Sequence, residues 1–162
     1  MSSSALGGSV KSRLIASLAV GAAVVLSTTG CNMIAPQATT IEYAAAEGIN
    51  VPDSGPVEVR NAFIVATEDG AQGNFIAALI NDTDSAQTLN IELDGGISET
   101  VRIPAYTTIS LGADAEPLLI DGLDALPGTA IEGYFESGGT GSPLVDVPVL
   151  DGALDYLAPL VP

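Results

Sequence analysis

The sequence predicts an all-β protein: a single antiparallel β-sandwich of immunoglobulin-like or cupredoxin-like Greek-key type, with seven to nine short strands. Alternation of apolar and polar residues, typical of half-buried strands, recurs roughly every ten residues along the chain. Clusters of Gly, Pro, Asn and Asp separate these segments and are typical of turns. Apolar residues at helical spacing are nearly absent beyond residue 30, so the strands are expected to pack on one another.

The first thirty residues have the three parts of a secretory signal and are left out of the predicted fold. Lys11 and Arg13 precede the apolar residues 14–26. That segment is shorter than the roughly 20 residues that a transmembrane helix needs. Gly30 then precedes Cys31, the one cysteine of the chain. This arrangement resembles the bacterial lipobox, which implies cleavage between Gly30 and Cys31 and attachment of a diacylglyceryl group to the cysteine.

The predicted layout is a lipoprotein signal peptide at residues 1–30, a tether from lipidated Cys31 at 31–39, the β-sandwich domain at 40–150 and a C-terminal tail at 151–162. A plain secretory signal is the alternative, and it would leave Cys31 as an unpaired thiol in an oxidising compartment. Acyl chains on Cys31 explain both its position and the lack of a second cysteine.

Individual strands are predicted from the face that each segment would bury. Segments 57–60, 89–94 and 145–149 have one apolar and one polar face, whereas 62–66 and 75–80 are apolar on both faces and are placed centrally. Further strands are expected at 109–111, 118–120 and 131–135. The tail is expected to pack back on the domain as an edge segment, and a free docking strip is the alternative.

The charge of the chain excludes several classes of function. All twenty acidic residues follow residue 30, where only Arg60 and Arg102 remain, so the mature chain has a formal charge of −18. Nucleic acid is therefore not an expected partner. The chain has no histidine and no lysine after Lys11, which removes the usual general base, the N/S metal sites and the Schiff-base lysine. We therefore predict a protein that is not an enzyme and has no cofactor.

Carboxylates are the remaining candidates for chemistry. Asp82 and Asp84, joined by Asp94 or by 68–69 at the same end of the sandwich, are the best candidates for Ca²⁺, which prefers oxygen ligands. The alternative is that these side chains form Asx turns. A second acidic group comprises Asp114, Glu116, Asp121 and Asp124. With Tyr106 or Tyr134 as a sugar platform, paired carboxylates could serve glycoside hydrolysis, which is the less favoured interpretation.

The order of segments resembles a known family, the PCuAC-type envelope copper chaperones, and the actinobacterial envelope lipoproteins distantly related to them. The resemblance lies in VEVRNAFIVA, GNFIAALINDTDSAQTLNIEL, VRIPAYTTISLG, LLIDGLDALPGTAIEGYFESGG and VDVPV, between residues 57 and 149. In that family, histidines and methionines bind Cu(I). Here Pro117 and Leu119 stand before the corresponding Gly122-Leu123 corner, so the resemblance implies the fold without the copper site.

Taken together, these features predict a non-enzymatic envelope lipoprotein on the outer face of the bacterial cell membrane. Its partners would be the membrane, through the lipid on Cys31, and a protein or ligand of the envelope. The alternative is a metal-binding module, which would use carboxylate loops for Ca²⁺ or be a metallochaperone that has lost its copper ligands.

Overall fold

The computed structural model describes residues 12–22 and 46–162. Residues 12–22 are helical and exposed, and no helix among the described residues is long and apolar enough to cross a membrane. The rest of the described chain is built almost entirely of strands. In chain order they are β1 (Ile49–Val51), β2 (Val57–Ala66), β3 (Gln72–Asn81), β4 (Gln87–Leu93), β5 (Ile97–Ile103), β6 (Thr107–Leu111), β7 (Leu118–Asp121), β8 (Ala130–Ser137), β9 (Thr140–Gly141) and β10 (Val145–Leu150).

The strands form two layers that are joined through β10. In one layer β3 pairs with β2, β6 and β7, and β1 pairs with β2; in the other, β4 lies between β5 and β8, and β9 pairs with β8. The first part of β10 pairs antiparallel with β8, from Val145 opposite Gly133 to Pro148 opposite Ala130. Its last two residues, Val149 and Leu150, pair parallel with β2. One side of the sandwich is therefore closed by β10.

The all-β sandwich predicted from the sequence is confirmed. The described residues form ten strands, one more than the upper limit of the prediction. Strands β1, β5 and β9 are not among the predicted segments, and segments 57–60 and 62–66 form the single strand β2. Among the strands that the structure describes, β2 and β10 are the one parallel pair. Their pairing begins at Val149, which also exchanges backbone hydrogen bonds with Gly128 and Thr129 in the segment before β8.

Strand β2 unites two segments that the sequence pattern separates. Arg60 lies opposite Ala78, and the next pair in register is Phe63 with Ile76. Strand β2 therefore has one extra residue after Arg60, which forms a bulge. Asn61 occupies the bulge with φ 50°, a left-handed conformation that asparagine tolerates better than most residues. The side-chain oxygen of Asn61 accepts a hydrogen bond from the backbone amide of Gly48 at 2.8 Å, and the backbone amide of Asn61 donates to Asn50 Oδ1 at 3.1 Å. These contacts hold β1 against β2.

The main core lies between the two layers and is built from aliphatic side chains around two phenylalanines. The rings of Phe75 and Phe135 are fully buried, with centroids 6.0 Å apart and planes tilted by 33°. Leu79, Leu89 and Ile120 surround them and are also fully buried. Burial of this apolar surface is the dominant favourable term in the stability of the domain.

A second, smaller core lies on the outer face of β2 and β3, under the C-terminal segment. Phe63, Val65 and Ile76 point to this face, and Leu157 covers them with 2% of its surface exposed. The Asn74 side chain donates a 2.9 Å hydrogen bond to the Leu160 carbonyl. The tail therefore covers the outer face of residues 62–66, which explains why this segment is apolar on both faces.

Candidate functional site

Cys31 and Gly30, the predicted lipidation and cleavage positions, lie outside the described residues. The lipobox therefore remains a prediction from the sequence. The two acidic groups, in contrast, lie within the described domain, and their positions decide which of them could act together.

The loop between β3 and β4 is organised by Asn81, whose side chain is fully buried. Its amide nitrogen donates to the carbonyls of Ser85, Ile103 and Pro104 at 2.9, 3.1 and 2.8 Å. Its oxygen accepts from the amide and the hydroxyl of Thr83 at 3.0 and 2.7 Å. Asn81 thus forms an Asx turn beside Asp82 and Asp84 of the predicted calcium loop.

Asp82 and Asp84 are exposed and lie before the start of β4, whereas Asp94 follows the end of that strand. The seven residues of β4 separate them by roughly 20 Å at about 3.3 Å per residue. The turn at residues 68–69 joins β2 to β3 and lies at the opposite end of β3 from Asn81. The structure therefore does not bring these candidates together. No group of three or more His, Cys, Asp or Glu residues within 12–22 and 46–162 is arranged to hold a metal ion.

The acids around the Gly122-Leu123 corner are spread along the sheet. Asp121 ends β7 opposite Gln72, whose side chain donates to it at 3.0 Å. Asn81 lies at the other end of β3, opposite Thr107. The acidic loops 82–85 and 121–124 are therefore at opposite ends of the domain.

A groove of about 460 Å³ lies between the β4–β5 hairpin and the segment that leads into β8. Three acidic residues line it, Asp94, Asp124 and Glu132, together with apolar residues that include Leu123 and Ile131. The hairpin is held to β8 by a 2.9 Å hydrogen bond from the Asp94 amide to the Glu132 carbonyl. Asp94 and Asp124 are thirty residues apart in sequence, and no sequence pattern signals their proximity.

A smaller depression of about 190 Å³ adjoins the groove and shares Asp94 and Glu132 with it. Glu92, Leu93, Tyr134 and Leu144 complete its lining, and Leu144 is largely exposed. The ring of Tyr134 packs so closely over Gly141 that a methyl group there would overlap it. The other candidate platform, Tyr106, is 72% exposed and follows the far end of β5, next to Thr83. The two tyrosines therefore do not share a cleft.

Shifted pKa values occur away from the groove. The Tyr156 hydroxyl donates to Glu47, which lowers the pKa of that carboxyl and raises the pKa of the Tyr156 phenol. The Thr67 hydroxyl and the Ala71 amide lower the pKa of Asp69 in the β2–β3 turn. These shifts arise from hydrogen bonds at exposed positions in loops.

A scan against models of known protein families gives no match, and a search of curated proteins gives none either. Solved structures similar to this chain include the apo PCuAC domain from PmoF1, with 17% identity, a TM-score of 0.48, and coverage of 63% of this chain and 97% of that one. The apo and copper-bound PCuAC domains from PmoF2 are 11% identical, with TM-scores of 0.49 and 0.47; they cover 65% and 64% of this chain and 97% of their own. The resemblance to PCuAC domains is distant, as the sequence predicted. Copper binding is a property of the PmoF2 domain.

Proposed function

We propose that this protein is a lipid-anchored, non-enzymatic binding module of the bacterial cell envelope. The observation that carries the proposal is Cys31, the one cysteine of the chain, which follows a basic leader, a thirteen-residue apolar segment and Gly30. The architecture fits this role, because everything from Gly48 to Leu160 belongs to one sandwich and its docked tail. The seventeen residues from Cys31 to Glu47 can extend to at most about 60 Å.

The charge distribution supports a domain that is held near the membrane by its lipid and not adsorbed to it. The mature chain has twenty carboxylate side chains and two arginines. One of these arginines, Arg60, forms an ion pair with Glu58 at 2.8 Å. Such a surface is repelled by anionic headgroups, so the lipid on Cys31 would supply the attachment.

The anchor is tested by metabolic labelling with an alkyne-tagged fatty acid in a bacterial host that processes lipoproteins. The wild-type chain is expected to take up label and to sediment with membranes. Cys31→Ala is expected to lose both properties, whereas Met33→Ala, two residues away, should keep them. Membrane association of Cys31→Ala at the wild-type level would overturn the proposed anchor.

The choice between a binding module and a metal-binding module is tested by calorimetry on the mature chain carrying Cys31→Ala. No saturable heat is expected with Ca²⁺, since the carboxylate candidates lie at opposite ends of the domain. None is expected with Cu(I), since the variant has no histidine or cysteine and one methionine, Met33. Saturable Ca²⁺ binding that is lost in Asp82→Asn would favour the metal-binding alternative instead.

A further inference from the structure

Strand β5 is the free edge of its layer. Over Ile97–Ile103 it pairs with β4 on one side, and no other described strand pairs with its second side. Every second residue of β5 therefore turns its backbone amide and carbonyl toward the open side of the sandwich, opposite the side that β10 closes. A free edge of this kind is a template for one more strand.

The face of β5 that points toward the core contains one charged residue. Ile97, Glu99 and Val101 alternate on this face with the exposed Ser98, Thr100 and Arg102. Ile97 and Val101 pack against the main core. Between them Glu99 stands opposite Ile91, which is 1% exposed. A carboxylate thus occupies a position where the alternation of the strand calls for an apolar residue.

Glu99 has no cationic or hydrogen-bonding partner among the described residues. The one ion pair there joins Arg60 to Glu58, and the side-chain hydrogen bonds leave Glu99 out. Arg102 is on the opposite face of the same strand. A half-buried carboxylate without a partner is unfavourable. A cation brought to it from outside would be attracted more strongly than in bulk water, because water is partly excluded from the site.

We propose that the edge of β5 binds an extended segment of a partner protein, added as a further strand, with a lysine or arginine opposite Glu99. The backbone of β5 would supply the ladder of hydrogen bonds, and Glu99 would select the partner by charge. This inference deepens the proposed binding role by naming the surface and the chemistry of the partner.

A second copy of this chain would not place a lysine or arginine opposite Glu99. Residues directly opposite each other in adjacent strands point to the same face. If β5 paired with β5 of another copy, Glu99 would therefore face Ile97, Glu99, Val101 or Ile103, and no cation. Self-pairing would bury two carboxylates without compensation, whereas a partner strand with an inward cation would neutralise one.

The test uses the mature chain with Cys31→Ala, so that its outcome does not depend on lipidation, and three blocked synthetic peptides. In TVTKTVT the lysine shares a face with the valines; in TVKVTVT it lies on the opposite face at the same net charge; in TVTETVT glutamate replaces it. Amide chemical shifts and hydrogen exchange of residues 97–103 report the site of binding, and titration gives Kd.

TVTKTVT is expected to protect the β5 amides and to bind about fivefold or more tightly than either other peptide, the size of effect of one moderately screened charge pair. Glu99→Gln should remove the preference while leaving the melting temperature nearly unchanged. Glu92→Gln, a matched change at an exposed site on β4, should keep the preference. Absence of protection at β5, equal binding of the two lysine peptides, or a dimer with protected β5 amides would each overturn the proposal.

Discussion

The Tyr156 hydroxyl donates a 2.7 Å hydrogen bond to Glu47 Oε1, across 109 positions of sequence. Glu47 lies just before β1, and Tyr156 lies in the tail that covers the outer face of β2 and β3. The bond therefore links the start of the folded domain to its end. In the proposed lipoprotein it would lie where the tether enters the domain.

This contact predicts a characteristic pH dependence. The pKa of Glu47 is lowered in the fold, so its contribution to stability is present above its ordinary value of 4.5 and is lost as pH falls through the folded pKa. The pKa of Tyr156 is raised, so its contribution is present below its ordinary value of 10.0 and is lost as pH rises through the folded pKa.

Tyr156→Phe is expected to lower the melting temperature slightly between about pH 5 and 9. The difference from the wild type should shrink as pH falls through the lowered pKa of Glu47 or rises through the raised pKa of Tyr156. Thermal melts across pH check this expectation. Tyr106→Phe, at an exposed tyrosine whose hydroxyl has no bond to a described residue, serves as the control. A constant difference between Tyr156→Phe and wild type at every pH would contradict the assignment.

Leu157→Ala tests whether the tail is part of the folded core. Leu157 is 2% exposed and closes the second core over Phe63, Val65 and Ile76. We expect the free energy of unfolding to fall by roughly 2–4 kcal/mol, the usual cost of such a truncation, with increased binding of an apolar dye. Denaturant unfolding checks the value, and Leu154→Ala, at a half-exposed position, should cost less than about 0.5 kcal/mol.

Asn81→Ala tests the connection between the β3–β4 loop and the segment after β5. Removing the Asn81 side-chain amide leaves the buried carbonyl of Ile103, and the carbonyls of Ser85 and Pro104, without the hydrogen-bond donor Asn81 Nδ2. We expect a cost of about 2–4 kcal/mol in unfolding free energy and faster amide exchange in residues 82–85. Asn90→Ala, at an exposed asparagine of β4, should have little effect.

Gly48→Ala tests the close contact between β1 and the bulge of β2. A Cβ atom at Gly48 would lie 2.5 Å from the backbone oxygen of Ala62, so β1 must shift. We expect a loss of about 1–3 kcal/mol in unfolding free energy, typical of overpacking, and loss of exchange protection in Ile49–Val51. Ala46→Gly, at an exposed neighbour, should leave both measurements near wild type. Unchanged β1 protection in Gly48→Ala would contradict the contact.

Much of the fold could be predicted from the local sequence pattern, and two strands that were not predicted, β1 and β5, were missed for local reasons. Alternating Val57 and Val59, or Leu89 and Ile91, predicts strands because each segment buries one face. Strand β5 escaped prediction as a whole because Glu99 interrupts its apolar face. The three residues of β1 are too few for a periodic signal, and their pairing depends on Asn61 in the bulge.

By itself, the sequence determined the all-β class, the excess of negative charge, and the lack of histidine and of a second cysteine. These are properties of composition and of periods of two residues, which need no knowledge of distant contacts. Tertiary structure alone decided which acids share a surface: Asp94, Asp124 and Glu132 line one groove, while Asp82 and Asp84 lie beyond the other end of β4. It also left the β5 edge open beside Glu99, because strand order is set by long-range packing that local sequence does not encode.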